Sequence, residues 1–241
     1  MRISIVIPAY NEQQLLGGTL EAVQKAAHAF TRRSWQTELI VCDNNSTDAT
    51  AGIAAAAGAT VVHEPVRQIA RARNRGARAA TGDWLVFLDA DSQPDTPLFE
   101  DVARHMNDPG VLAGGSTLRM DTNHWLGQCA LACWNLASRC GKWLAGAFIF
   151  VRAEAFHTVG GFNEDLYAAE EIDLTRRLRT LARTRHQRIV ILHRHPLLTS
   201  ARKLHLYTPA ELLRFWLRAA CHHRQTVTDR KACFLWYDGR R

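Results

Sequence analysis

The sequence predicts an α/β fold built on a doubly wound, mostly parallel sheet, and three observations predict it. Short apolar runs rich in β-branched residues recur at 3–7, 39–42, 60–62 and 84–88, and each ends in a polar or turn-forming cluster. Between them lie stretches with helical spacing, so the first ninety residues alternate through four strands and three helices. The polar clusters Asn11/Glu12, Asp43/Asn44/Asn45 and Asp89/Asp91 all fall just past strand ends. Right-handed crossovers bring such ends to one edge of a parallel sheet, where ligands bind.

Each element follows from its residues. SIVIPAYNE is a buried strand closed by Pro8, Asn11 and Glu12; Leu16, Leu20, Val23 and Ala27 then mark one face of a helix. TELIVCD is a second strand, with Ser46 or Thr47 as the expected cap of the helix that follows. TVVHEP is a short third strand, QIARARNRGARAATGD an arginine-rich helix, and WLVFLDADSQP a strand that runs into two aspartates. After residue 95 the alternation weakens into a mixed half. A helix at PLFEDVARHMN, a strand at GVLAGGSTLRM and a helix over 124–140 lead to GAFIFVRAEAFHTVGGF, which reads as strand, short helix and glycine turn. AAEEIDLTRRLRTLAR is a charged helix, QRIVIL a strand with His193 and His195 just beyond it, and TPAELLRFWLRAACHH a final helix. The reading is one domain: a nucleotide-binding half over 1–95, an acceptor-side half over 96–205 and a helical extension over 206–241.

The 241 residues are 47% hydrophobic, enough for one sizeable core, and the net charge of +7 favours anionic partners. Six cysteines form no CxxC pair, and the first strand starts almost at Met1, so the expected setting is reduced and cytoplasmic. No segment approaches about 18 uninterrupted apolar residues; Gln128, Asn135, Arg139 and Lys142 interrupt the nearest candidate. Tryptophans 125, 134 and 143 beside cationic residues leave peripheral contact with a membrane surface, at its inner face, as an expectation.

Two carboxylates one residue apart at a strand end are hard oxygen donors of the kind Mg²⁺ or Mn²⁺ takes together with substrate phosphates. In an extended strand Asp89 and Asp91 point to the same side and can address one ligand. Solvated turn chemistry is the alternative for such a pair. Glu170, Glu171 and Asp173 form a second acidic cluster in the first turn of a helix, where they either complement its dipole or act on a substrate.

SIVIPAYNE, LIVCDNNSTDAT, ARNRGARAATGDWLVFLDADS, GGF and AAEEIDLTRRL occur in the order and spacing of the family 2 glycosyltransferases, which the chain resembles over about residues 3–180. The resemblance implies the GT-A fold and a metal-dependent inverting transferase with a UDP- or GDP-sugar donor. It places Pro8, Tyr10, Glu12 and Asp43 at the nucleoside, and Asp89, Ala90 and Asp91 at the DxD position with Asp89 and Asp91 on Mn²⁺ or Mg²⁺. Glu171 stands where family members carry the aspartate base, which leaves Glu170 or Glu171 as the base. Gly161 and Phe162 fall on the acceptor-side turn, with Trp143 and Gly146 as further candidates for the acceptor wall. Arg67, Arg71, Arg73, Arg75 and Arg78 form a basic run that reads mostly as a solvated helix face; Arg71, Arg75 and Arg78 can share a face with Arg73 off it, and one or two of the run, Arg71 among them, are expected to reach a diphosphate. Asn74 is expected to secure a loop and Asp173 to pair with Arg176 or Arg177; His193 and His195 read first as surface-loop histidines, with an additional metal ligand as the alternative for one of them. Ser200, Arg202 and Lys203 are expected near the diphosphate on closure.

Two other classes compete. A nucleotidyltransferase shares the fold family, but PAYNEQQLLGG lacks the basic phosphate loop such an enzyme needs. A non-catalytic anion-binding module would use the basic C-terminal portion for nucleic acid or a membrane, yet no recognition motif for nucleic acid occurs. The acceptor class, whether carbohydrate, lipid-linked or small-molecule, is open at this stage.

Overall fold

The computed structural model describes residues 1–122, 125–202, 206–208, 211, 214 and 223–238. Its sheet has eight strands in the order β3-β2-β1-β4-β7-β6-β8-β5. Strands β1 (Arg2–Ala9), β2 (Gln36–Asp43), β3 (Thr60–His63) and β4 (Trp84–Leu88) pair in parallel. The crossovers between them carry helices α1 (Leu16–Thr31), α2 (Thr50–Ala56) and α3 (Ile69–Ala79). Beyond them β7 (Phe148–Arg152) pairs antiparallel with both β4 and β6 (Val111–Met120), and β6 runs parallel to β8 (Arg188–Thr199). Helices α4 (Thr96–Met106), α5 (Trp125–Gly141), α6 (Ala153–Thr158) and α7 (Glu170–Thr184) complete this half. Short helices α8 (His223–Thr228) and α9 (Phe234–Tyr237) follow.

The sheet is buried on both faces, which is why β4 is apolar at every position. Trp84, Val86 and Leu88 pack with Leu20, Phe30, Phe99 and Val102 on one side. Leu85 and Phe87 pack with Ala77, Phe156, Leu174 and Leu178 on the other. Gly76 in the ARNRGA run has a steric reason: a Cβ there would collide with Val6 of β1, so glycine lets α3 lie close to the sheet.

Three local expectations need correction. The cap of α2 is not Ser46 or Thr47, because the helix starts later, and Asp48 accepts the Thr50 amide at 3.0 Å. A short strand, β5 (Ser92–Gln93), escaped notice; two residues leave no periodicity to read, and β8 supplies its partner. β8 also runs on through His193 and His195 to Thr199, pairing with β6 and then β5. Most of the final helix expected at TPAELLRFWLRAACHH, and Lys203, lie outside the described residues, as do parts of the basic C-terminal portion.

Candidate active site

A cavity of about 410 Å³ opens at the carboxyl ends of β1 and β4. Pro8, Tyr10, Glu12, Asp89, Ala90 and Asp91 line one side, and Glu170 and Glu171 line the other. Asp89 and Asp91 reach it from a turn rather than from an extended strand, since the Ser92 amide donates to the Asp89 carbonyl at 3.2 Å. The turn is held on both flanks: Thr19 Oγ1 donates to the Ala90 carbonyl at 2.8 Å, and the Ser200 amide donates to the Asp91 carbonyl at 3.1 Å. The two carboxylates therefore address one space through turn geometry, not strand alternation.

Arg73 joins the two acidic clusters. Its guanidinium is almost fully buried, donating to Glu170 Oε1 at 2.7 Å, to Asp89 Oδ1 at 2.9 Å and to the Gly146 carbonyl at 2.9 Å. Burial works against its charge, and the Asp89, Glu170 and Glu171 carboxylates outweigh that cost. This corrects the expectation for the arginine run. Arg73 and Arg67 line the cavity, whereas Arg71 lies outside it, bonded to Gln68 and paired with Glu164 at 3.2 Å. A signal existed: Ala70, Arg73, Asn74 and Ala77 follow i, i+3, i+4, i+7, and the small residues at 70 and 77 mark that face of α3 as the inner one.

Glu170 and Glu171 open α7, and Ala169 before them sits in the left-handed region at φ 61°. An L-residue there is strained, and from this turn Glu170 and Glu171 enter the cavity lining. Glu170 is buried on Arg73. The Glu171 carboxylate is supported by its own backbone amide rather than by Arg73. Burial first, and then the adjacent Glu170, push it up to about 8. A carboxyl poised near neutrality is suited to exchanging a proton with a substrate. Asp173 points away and pairs with Arg177, one of the two partners expected.

On the other side Glu12 pairs with Arg202 at 2.8 Å, tying the segment after β8 to the loop after β1. Arg202 is held charged against its burial by Glu12 and Asp91. Arg67 lies over the Tyr10 ring at 3.8 Å and also lines the cavity. Asp43 does not line it; its neighbour Asn44 does, while Asp43 accepts from the Ser46 amide at 3.1 Å and faces His63 at 3.3 Å.

Gly161 and Phe162 also lie elsewhere. Asn74 grips this turn from α3, donating to the Phe162 carbonyl and accepting from its amide, both at 2.9 Å. The Phe162 ring packs on Phe87 and Phe156 in the core, so it offers no surface to an acceptor. Gly146 does border the cavity, but Trp143 lies outside it beneath Arg179. His193 and His195 do not reach the carboxylates either, and His195 Nδ1 lies 2.9 Å from Asp101 of α4. The wall beside Glu171 is instead built by Trp134, Tyr167, Trp236 and Tyr237. Sequence reasoning missed these because no local pattern links α5 and α9 to the strand ends; Tyr237 is placed by its hydroxyl, which accepts the Ile69 amide at 3.2 Å.

Asp89 and Asp91 fit a divalent cation of the magnesium or manganese type, which needs only one or two carboxylates when phosphates and water complete its shell. No cluster of three or more metal-binding side chains occurs among the described residues. None of the described helices is long and apolar enough to cross a membrane.

Comparison with known proteins agrees with this geometry. An uncharacterised glycosyltransferase of Mycobacterium bovis is 31% identical over 123 residues, which cover 51% of this chain and 52% of the relative. The chain thus spans about half the length of that relative. The structure of glucosyl-3-phosphoglycerate synthase from Mycobacterium tuberculosis, in complex with Mn²⁺, UDP and glucosyl-3-phosphoglycerate, superposes with a TM-score of 0.59 at 25% identity. That match covers 94% of this chain and 81% of the synthase. A mannosyltransferase from Pyrobaculum calidifontis in complex with GDP-Man and Mn²⁺ shares the fold, with a TM-score of 0.66 at 20% identity over 88% of this chain and 59% of that one. The model of glycosyl transferase family 2 matches residues 4–129, more than half of the sequence, and the chain belongs to that family.

Proposed function

We propose that the protein is a metal-dependent inverting glycosyltransferase that moves a sugar from a nucleoside diphosphate donor to an acceptor hydroxyl. The observation that carries this reading is the placement of the two acidic clusters in one cavity, bridged by the buried Arg73. In this reading the donor half is 1–95 and the acceptor-side half 96–205.

Pro8, Tyr10 and Asn44 border the nucleoside end, with Asp43 holding the loop behind Asn44. Asp89 and Asp91 would hold Mg²⁺ or Mn²⁺, which would supply positive charge to neutralise the diphosphate as it departs. Arg202 supplies a guanidinium beside Asp91 for the phosphate oxygens. Glu171 takes the proton of the acceptor hydroxyl as its oxygen bonds to the anomeric carbon, and the bond from that carbon to the diphosphate breaks. Attack from the side opposite the leaving group inverts the anomeric centre. Glu171 is preferred to Glu170 because Arg73 already occupies Glu170, which makes Glu170 a positioning residue.

A thermal-shift panel of nucleotides and nucleotide sugars, with and without Mn²⁺, tests the proposal. The expected result is stabilisation by one nucleoside diphosphate family that requires Mn²⁺, of about 2.7 kcal/mol at a hundred times Kd. Failure of every nucleotide to stabilise the fold in Mn²⁺ would contradict it.

A further inference from the structure

Helix α5 is built inside out for a helix that faces water. Its polar residues turn inward: Gln128 donates to the Thr122 carbonyl at 2.6 Å, and Asn135 bonds both the amide and the carbonyl of Leu118 at 2.9 Å. One set of its apolar residues turns outward, while Leu131 is buried and Trp134 lines the cavity. Trp125, Cys129, Ala132, Leu136 and Cys140 follow i, i+4, i+7, i+11, i+15, one stripe on the side away from β6. Trp125 is 69% exposed and Leu136 62% exposed, and the two cysteines are exposed free thiols. Leaving such a stripe in water is unfavourable, and contiguous apolar surface of this kind marks an interaction site.

The charge around the stripe selects the partner. No acidic residue occurs between Asp121 and Glu154. Arg139 and Lys142 sit at the C-terminal end of α5, where Trp143 is tied back by Ser138, whose hydroxyl donates to its carbonyl at 2.6 Å. Over that ring lie Arg179 at 4.3 Å and Arg176 at 5.8 Å, and Arg183 follows one turn later on α7. Burial and then the neighbouring Arg183 and Arg176 lower the pKa of Arg179, the mark of cations crowded together. Elsewhere on α7 and just past it, Arg177 and Arg185 are paired with Asp173 and Glu154. None of the other five cations, on α7 and at the C-terminal end of α5, has a carboxylate partner among the described residues. An apolar stripe ending in unneutralised cations and an exposed tryptophan matches a bilayer interface with anionic headgroups.

We propose that α5 docks the protein on an anionic lipid surface, with the Trp125–Leu136 stripe inserted at the interface and Arg139, Lys142, Arg176 and Arg183 on the headgroups. The inference stands apart from the transferase reading. If both hold, Trp134 on the opposite side of α5 sets the acceptor wall of the cavity next to the membrane.

Sedimentation of the full chain with vesicles tests it, one set of phosphatidylcholine and one of phosphatidylcholine mixed with phosphatidylglycerol, without any nucleotide. Binding is expected to the mixed vesicles, at least tenfold tighter than to the neutral ones, and to weaken as salt rises. Arg176→Gln with Arg183→Gln should weaken it about fivefold per charge removed. Trp125→Ser with Leu136→Ser should weaken it tenfold or more, and both pairs of positions are exposed on the helices. Equal binding to the two vesicle types, or none to either, overturns the proposal. So does a concentration-dependent dimer in sedimentation velocity that Trp125→Ser abolishes, because the stripe then belongs to a second copy.

Discussion

At the residue scale the proposed base Glu171 and the buried Arg73 that holds Glu170 make separate predictions. Glu171→Gln keeps the shape of the cavity and removes the proton acceptor, so turnover should fall by about 10²–10⁴ while nucleotide affinity in Mn²⁺ stays within twofold. The raised pKa gives two pH effects of opposite sign. As a base Glu171 must be ionised, so turnover should climb as pH rises through about 8. As a folded-state group with a pKa above its unfolded value of 4.5, it binds more protons when native, so its contribution to stability falls as pH rises from about 4.5 to about 8. Glu171→Gln should therefore gain stability over the parent at the alkaline end of that window and match it at the acid end, as denaturant melts at the two pH values will show. Arg73→Met leaves Glu170 buried without its cation, and urea unfolding should report a loss of about 3–5 kcal/mol.

At the element scale the strands were legible in the sequence and the reach of the side chains was not. β1, β2 and β4 are apolar runs because both faces are covered, a pattern read locally. β5 is defined as a strand by its pairing with β8, and the position of Arg73 depends on Glu170, 97 residues away. Such long-range partners leave little in the sequence except the small residues around them, which is how Ala70 and Ala77 marked the inner face of α3. Asn74 was read as a loop anchor, and it holds the glycine turn whose Phe162 had been assigned to the acceptor. The start of α7 provides a test at this scale. Ala169→Gly relieves a left-handed alanine, so chemical denaturation should show a gain of up to about 1 kcal/mol, net of the extra freedom of glycine when unfolded. The looser turn should lower turnover more than nucleotide affinity.

At the scale of the whole molecule the sheet order makes the site. Parallel strands β1 and β4 deliver the first loop and the Asp89–Asp91 turn to one edge, and the antiparallel β7 at β4 brings the second half, with α7, against them. The family resemblance placed the acidic clusters together before any geometry was known, whereas the aromatic wall from α5, α9 and Tyr167 became visible only in three dimensions. Separate duties for the two clusters are the central claim. Calorimetric titration of the preferred nucleoside diphosphate in Mn²⁺ into the parent, Asp91→Asn and Glu171→Gln proteins tests it most directly. The account predicts affinity at least tenfold weaker in Asp91→Asn and unchanged in Glu171→Gln; equal affinity in all three would contradict it.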